Sequence, residues 1–310
     1  MSKLTRRRAI LAKIETTYGT DSIPTGAANA ILIKNPTITP LSSTLVDRNN
    51  IKPYLGENQQ LLANTHVQVN FEVELAGAGA AGTAPAYGPL LRACGLSETV
   101  TALTDVVYAP ISDSFESITM YYNVDGVQHS ITGMRGTVDL DVTAKQIPFL
   151  SFKMTGIYNG PTDVALPATT YTAFQLPLVA NNANTTGFSL FSTSGLILNS
   201  LKLSLNNTVD FRALIGSESA QIMERKSSGE VIFEAPSIAT LDVFTKAVDT
   251  ASGALALTHG TAAGNKVVIG ATNITLGNVT YSDDQGVTMI TAPFYAIPTS
   301  GNDELSITVE

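Results

Sequence analysis

The side chains able to do chemistry are few in this chain, and they do not gather. His66, His129 and His259 lie far apart, and none has a second histidine three or four residues away. Metal centres draw on grouped His, Cys or carboxylate ligands. Each histidine therefore reads as an ordinary polar strand residue, and no metal set is expected. Asp283-Asp284-Gln285-Gly286 has the look of a calcium loop. It lacks the alternating oxygens and the closing Glu of such a loop, so a hairpin turn is expected there. The single cysteine, Cys94, sits in the helical stretch Leu91-Arg92-Ala93-Cys94 and reads as a small buried hydrophobe. No Gly-x-Ser-x-Gly elbow is present to strain a serine into a nucleophile. The glycine-rich run 76–83 ends without the Lys-Ser/Thr of a phosphate loop and reads as a flexible strand-to-helix linker.

Two carboxylate pairs remain, Glu72 with Glu74 and Asp139 with Asp141. Spacing of two puts each pair on one face of a strand. General acid/base work is the chemistry such pairs could do, but a wet acidic strand face accounts for them as well. Arg6-Arg7-Arg8 suits solvent or an acidic neighbouring subunit. The chain thus offers no catalytic residue, no metal site and no cofactor site, and an enzyme is poorly supported.

The elements carrying these residues are mostly strands. In His66–Leu75 the odd positions are apolar and the even ones polar, the period of a strand with one buried and one wet face. Val138–Thr143 and Leu201–Asn206 repeat the pattern. Further strands are expected at 31–39, 118–124, 127–132, 149–158, 230–235, 266–270, 273–281 and 287–296, with Asp125-Gly126 as a hairpin turn. Two short helices are expected, over 85–94 and 236–248. The second has Ile238, Leu241, Phe244 and Val248 on one stripe.

The order of elements occurs twice. Each time a strand leads into an irregular stretch, a second strand, a helix and then paired strands. The stretches Asn70-Phe71-Glu72 and Ile232-Phe233-Glu234 precede the two helices, and 129–158 lies over 267–296 without a gap. This is a diverged tandem duplication of one β module. The division expected is an N-terminal arm 1–30, a first module 31–158, an intermodule linker 159–196, a second module 197–297 and a C-terminal tail 298–310. The irregular stretches 43–65 and 208–228 are long enough to suggest function.

Composition agrees with a β protein that is covered by neighbours. Of 310 residues, 38 are Thr, none is Trp, and only 14% are charged, against about 25% in ordinary soluble proteins. Weak surface charge points to contacts with other chains. The 44% apolar content excludes a disordered chain. A net charge of −8 argues against phosphate-driven nucleic-acid binding, and one cysteine against a disulfide scaffold. Lys13 and Glu15 interrupt the basic start, so no signal peptide is expected and synthesis belongs in a reducing cytoplasm. No membrane span is expected.

Several of these stretches together resemble phage tail tube proteins. The match runs through Leu11–Ile31, Lys34-Asn35-Pro36, Phe71–Leu75, Gly82–Gly88, Leu91–Leu96 and Tyr122–Gly126, most of 11–158, and more distantly through 197–297. The resemblance implies β-sandwich modules, each with a flanking helix, that assemble side by side into rings stacked as a tube. Members with one module form hexameric rings, so a duplicated module implies a trimeric, pseudo-sixfold ring, with a hexamer as the alternative. It also implies a tape measure protein and a tail terminator as partners, and genomic DNA passing through the lumen without specific binding. The place of such a protein is the virion tail, after assembly in the host cytoplasm.

Four inner-wall strands per module would make a ring of about 24, with a backbone diameter of roughly 48 Å at ~4.8 Å spacing and ~40° tilt. A duplex passes through such a ring, and an acidic wall repels phosphate and lets it slide. Glu72 and Glu74, or Asp139 and Asp141, are the expected lumen residues. The expected ring-to-ring contacts are Asp47, Arg48, Lys52, Tyr54 and Glu57 in the first arm, and Asp210, Arg212, Glu224 and Arg225 in the second. The rival reading, a carbohydrate-binding or adhesive β-sandwich, wants exposed aromatics and an export signal.

Overall fold

The computed structural model describes residues 3–310. Met1 and Ser2, the first residues of the expected arm 1–30, lie outside the described residues. Strands hold 53% of the chain and helices 4%, the mainly β composition expected from the alternation.

In the first half the elements are β1 (Arg8–Ile14), β2 (Ala30–Ile31), β3 (Lys34–Val46), β4 (Leu61–Glu74), α1 (Gly88–Ala93), β5 (Leu96–Thr101), β6 (Asp105–Pro110), β7 (Ile118–Val124), β8 (Val127–Thr143) and β9 (Phe149–Asp163). In the second they are β10 (Thr185–Leu190), β11 (Thr193–Ser194), β12 (Leu198–Ser204), β13 (Asn207–Leu214), β14 (Ser217–Arg225), β15 (Ser228–Glu234), α2 (Val243–Val248), β16 (Ser252–His259), β17 (Val267–Leu276), β18 (Thr280–Asp284), β19 (Val287–Ala296) and β20 (Ser306–Val309).

The ladders repeat between the halves. In the first, β3 pairs with β4, β4 with β9, β9 with β8, β8 with β7 and β7 with β1. In the second, β12 pairs with β15, β15 with β19 and β19 with both β18 and β17. From there β17 pairs with β16 and β16 with β10. One direct strand pairing joins the two sets: Asp139–Thr143 of β8 pairs antiparallel with Ser200–Ser204 of β12. The result is a continuous antiparallel belt of eight strands, ordered β3-β4-β9-β8-β12-β15-β19-β18. The remaining strands, apart from the separate β13–β14 hairpin, fold back over one face of this belt, and the core lies between. Val69, Phe71, Leu140, Phe152, Leu201 and Phe233 come from the belt, and Ile10, Tyr108, Tyr122 and Ile269 from the covering strands, all in one cluster. Phe71 and Phe152 stack with ring centroids 5.4 Å apart at the middle of the first half. Each such fully buried side chain contributes about 1.5–3 kcal/mol.

Turn chemistry sets the hairpins. Asp125 and Gly126 both have positive φ (32° and 91°), as do Gln285 and Gly286 (55° and 87°). Two successive positive φ values make the turn whose twist matches its strands. The Asp283–Gly286 segment is therefore the β18–β19 turn, with Gly286 N–H donating to Asp283 Oδ1 at 3.3 Å.

Several expectations need correction. The stretch 208–228 is not irregular but a two-stranded hairpin, β13–β14. A bulge between Thr208 and Val209 hides its register. Residues 43–65 are strand at both ends, where 43–46 finish β3 and 61–65 begin β4, and irregular over the tip 47–60; three register shifts along β3, two of them beside Pro36 and Pro40, break the alternation. The runs 127–132 and 138–143 are one strand. The second helix begins only at Val243, because Asp242 caps it, accepting from Phe244 N–H at 3.1 Å and Thr245 N–H at 2.9 Å. The expected stripe fails at its ends, since Ile238 and Val248 are exposed while Val243 is buried.

Connecting segments also do more than link. Within the expected arm 1–30, β1 is a core strand. The expected linker 159–196 supplies β10 to the second half. The expected tail 298–310 ends in β20, which pairs with both β6 and β17 and so bridges the halves. The glycine-rich run is a close contact rather than a free linker. Gly79 N–H donates to Gly264 O at 2.7 Å, and a Cβ on Gly77 would lie 2.2 Å from that same oxygen.

Candidate assembly site

The belt has one face on the core and one face bare except at the end where the β13–β14 hairpin meets His66 and Arg135. Register decides which side chains line the bare face. Glu72 lies opposite Ser151, Ser151 opposite Asp139, and Asp139 opposite Ser204. One row along, Glu74 lies opposite Phe149, Phe149 opposite Asp141, Asp141 opposite Lys202, and Lys202 opposite Glu230. Both expected carboxylate pairs therefore share a single face, where the sequence left a choice between them. Three companions share this face: Lys153 and Lys202, the polar members of apolar-alternating runs, and Glu230, at the start of the expected strand 230–235. With Glu234 included, six carboxylates stand here against Lys34, Lys153 and Lys202.

The lysines neutralise only part of that charge. Lys153 Nζ is 2.9 Å from Asp139, which also accepts from the Ser204 hydroxyl. Lys34 is 4.0 Å from Glu72, which accepts from Asn35 Nδ2 at 2.9 Å. Thr143 donates to Asp141 at 2.5 Å. These bonds hold the carboxylates as fixed acceptors, and a surface of fixed acceptors repels phosphate.

The two arms differ. In the first, Asp47, Arg48, Lys52, Tyr54 and Glu57 are all exposed on the tip between β3 and β4. Asp47 accepts from Gln60 Nε2 at 2.5 Å, and Lys52 Nζ sits 5.7 Å from the Tyr54 ring centroid. In the second, Asp210, Arg212 and Glu224 lie on the outer face of β13–β14, exposed, with Glu224 3.0 Å from Lys226. The inner face of that hairpin docks on the first half. Phe211 stacks on His66 with centroids 5.1 Å apart, and Ala220 N–H donates to Tyr18 Oη at 2.7 Å. Arg135 donates to Ala220 O at 3.2 Å while lying over the Tyr18 ring. Burial raises the Tyr18 phenol above its usual range, so it stays neutral, accepting from Ala220 and donating its own hydroxyl to Gly133 O at 3.0 Å.

Arg225 is placed differently from its expected companions. It donates to Glu304 at 2.6 Å, to Ile111 O at 2.6 Å and to Asn302 Oδ1 at 3.1 Å. Its side chain is 14% exposed and that of Glu304 5%. Its guanidinium is turned inward, fastening the second arm to the C-terminal segment and the first half.

Burial pushes the Cys94 thiol up, away from reactivity, and its Sγ lies 3.8 Å from Met154 Sδ in the core. His259 Nδ1 is within 2.9 Å of Thr185 Oγ1, and burial lowers its basicity. Among the described residues no cluster of three metal-ligating side chains forms, and no helix is long and apolar enough to cross a membrane.

A duplicated β sheet with a bare acidic face, open edges and projecting arms defines a structural protein that works through its surfaces. Residues 5–296 match the family model for phage tail tube proteins, and the chain belongs to that family. Membership implies a place in the virion tail and assembly into a stacked tube. No curated protein matches the chain.

Proposed function

We propose that three copies of this chain close into a pseudo-sixfold ring, that rings stack into the tail tube, and that DNA passes along the acidic face. The observation that carries this reading is the belt. It consists of two four-strand halves with the same ladder order, joined edge to edge within one chain. Three belts supply 24 strands, the number that gives a wall of roughly 48 Å backbone diameter at ~4.8 Å spacing and ~40° tilt. With the core on one side of the belt, the acidic face is the side left for the lumen. Carboxylates there keep phosphate from releasing counterions onto the wall, so the duplex is not held.

The charged outer surfaces of the arms, Asp47, Arg48, Lys52 and Glu57 with Asp210, Arg212 and Glu224, serve ring-to-ring registry, and Tyr54 adds an apolar contact. Mixed charge selects partner and register more than it adds affinity. Arg225 has no part in that contact. A tape measure protein in the lumen and a terminator at the tube end complete the proposed partners, with assembly in the host cytoplasm. The role is structural rather than catalytic. Negative-stain microscopy of the purified protein tests it: rings with threefold averages and tubes are expected, and a protein that stays monomeric at high concentration would overturn it.

A further inference from the structure

The belt ends in two unlike edges. Among the described residues β18 pairs only with β19, and all five of its residues are exposed; β3 likewise pairs only with β4. Bare strand edges recruit other chains unless covered. The duplication says what covers them. Inside the chain, the last strand of the first half, β8, joins the first strand of the second, β12. Their counterparts are β18 and β3.

Equivalent residues can be paired from the ladders. Phe71 and Phe233 lie opposite Phe152 and Ile290, which in turn lie opposite Val138 and Tyr281. Asp139 therefore corresponds to Ser282, and not to Gly277 as the gapless overlay of 129–158 on 267–296 expected, because the β18–β19 turn is shorter than the β8–β9 turn. Val69 and Val231 lie opposite Ile38 and Leu201, and past the bulge at Pro40 His66 lies opposite Ser42 where its equivalent Ser228 lies opposite Ser204, so Ser204 corresponds to Ser42. Within the chain Asp139 faces Ser204.

We propose that β18 of one copy pairs antiparallel with β3 of the next, with Ser282 facing Ser42 and Asp284 facing Thr39 on either side of the β3 bulge. Polarity permits it. Every step across the belt is antiparallel and seven steps separate β3 from β18, so the two edges run in opposite directions. A rotated copy brings them together head to tail, the arrangement that closes rings. The junction inside the chain is thus the template for the junction between chains, and the inference rests on the tube reading above.

The test is a double variant, Ser42→Cys with Ser282→Cys, in the full chain. Cys94 is fully buried, so the new thiols are the accessible ones. Facing strand positions lie within reach of a disulfide or a short thiol crosslinker. Under oxidation, covalent species of two and three chains are expected, and neither single variant should give the three-chain species. As a second arm, Ser282→Pro and Asp283→Pro remove successive N–H groups. One of the two points outward, and that variant should lose ring formation while retaining its melting transition. Wild-type tubes without any crosslink in the double variant would overturn the edge pairing and leave the tube reading standing. A wild type that forms neither rings nor tubes would overturn both.

Discussion

The first arm and the second occupy the same place in the repeat, between the first two belt strands of their half, yet one is free and the other docked. Ile51 and Leu55 on the first are fully exposed, at 101% and 102%. Phe211 and Ala220 on the second are buried, at 5% and 0%. The second arm meets the flank of the first half within its own chain, and there it orders into a hairpin. The first has no such flank in its own chain. The same chain position becomes strand or open tip according to whether a neighbouring module is present, because a lone hairpin is marginal until a hydrophobic face is covered.

Removing the free tip should produce the largest change. Deletion of 46–60 is expected to leave a folded, soluble protein that no longer forms tubes, checked by circular dichroism and electron microscopy together. Tubes of normal length would show that the free arm is dispensable. Next comes the clamp on the docked arm. Arg225→Ala leaves the Glu304 carboxylate buried without its partner and should cost about 3–5 kcal/mol in denaturant unfolding. An effect near zero would mean that the arm is held by its apolar face alone.

Truncating that apolar face should cost somewhat less. Phe211→Ala is expected to destabilise by about 3 kcal/mol, and Tyr54→Ala on the free tip by no more than about 0.5 kcal/mol. Equal losses would erase the distinction between the arms. The smallest effect belongs to pH. Burial lowers the basicity of His129 in the first half and His259 in the second. The unfolded chain then takes up these protons more readily than the folded one, so stability is full above the ordinary histidine range and declines as pH falls through it. The melting temperature should drop by a few degrees between pH 7 and pH 5, and His259→Gln should flatten part of that slope. A melting temperature unchanged over that interval would contradict it.

Strong alternation makes β4, the end of β8 and β12 legible in the sequence, and with them both carboxylate pairs. The β13–β14 hairpin escapes such a reading although Val209, Phe211 and Ala213 alternate with Thr208, Asp210 and Arg212. Its signal is short, carries a bulge and ends in the exposed apolar pair Leu214 and Ile215. Periodicity makes the second helix too long, because it extends past a boundary that a single capping carboxylate sets. Arg225 looks like its charged neighbours, and nothing local marks it as buried. Its partners are a carboxylate 79 residues away and a carbonyl 114 residues away.

The amino-acid sequence alone determined the mainly β class, the duplication and the acidic strand faces, since these follow from residue type, element order and short-range period. Only the tertiary structure decided that both acidic pairs share one face, that the halves fuse into one belt, and that its two ends are unlike open edges. Those facts depend on which strands lie side by side, and pairing over long sequence separations leaves no mark in local pattern.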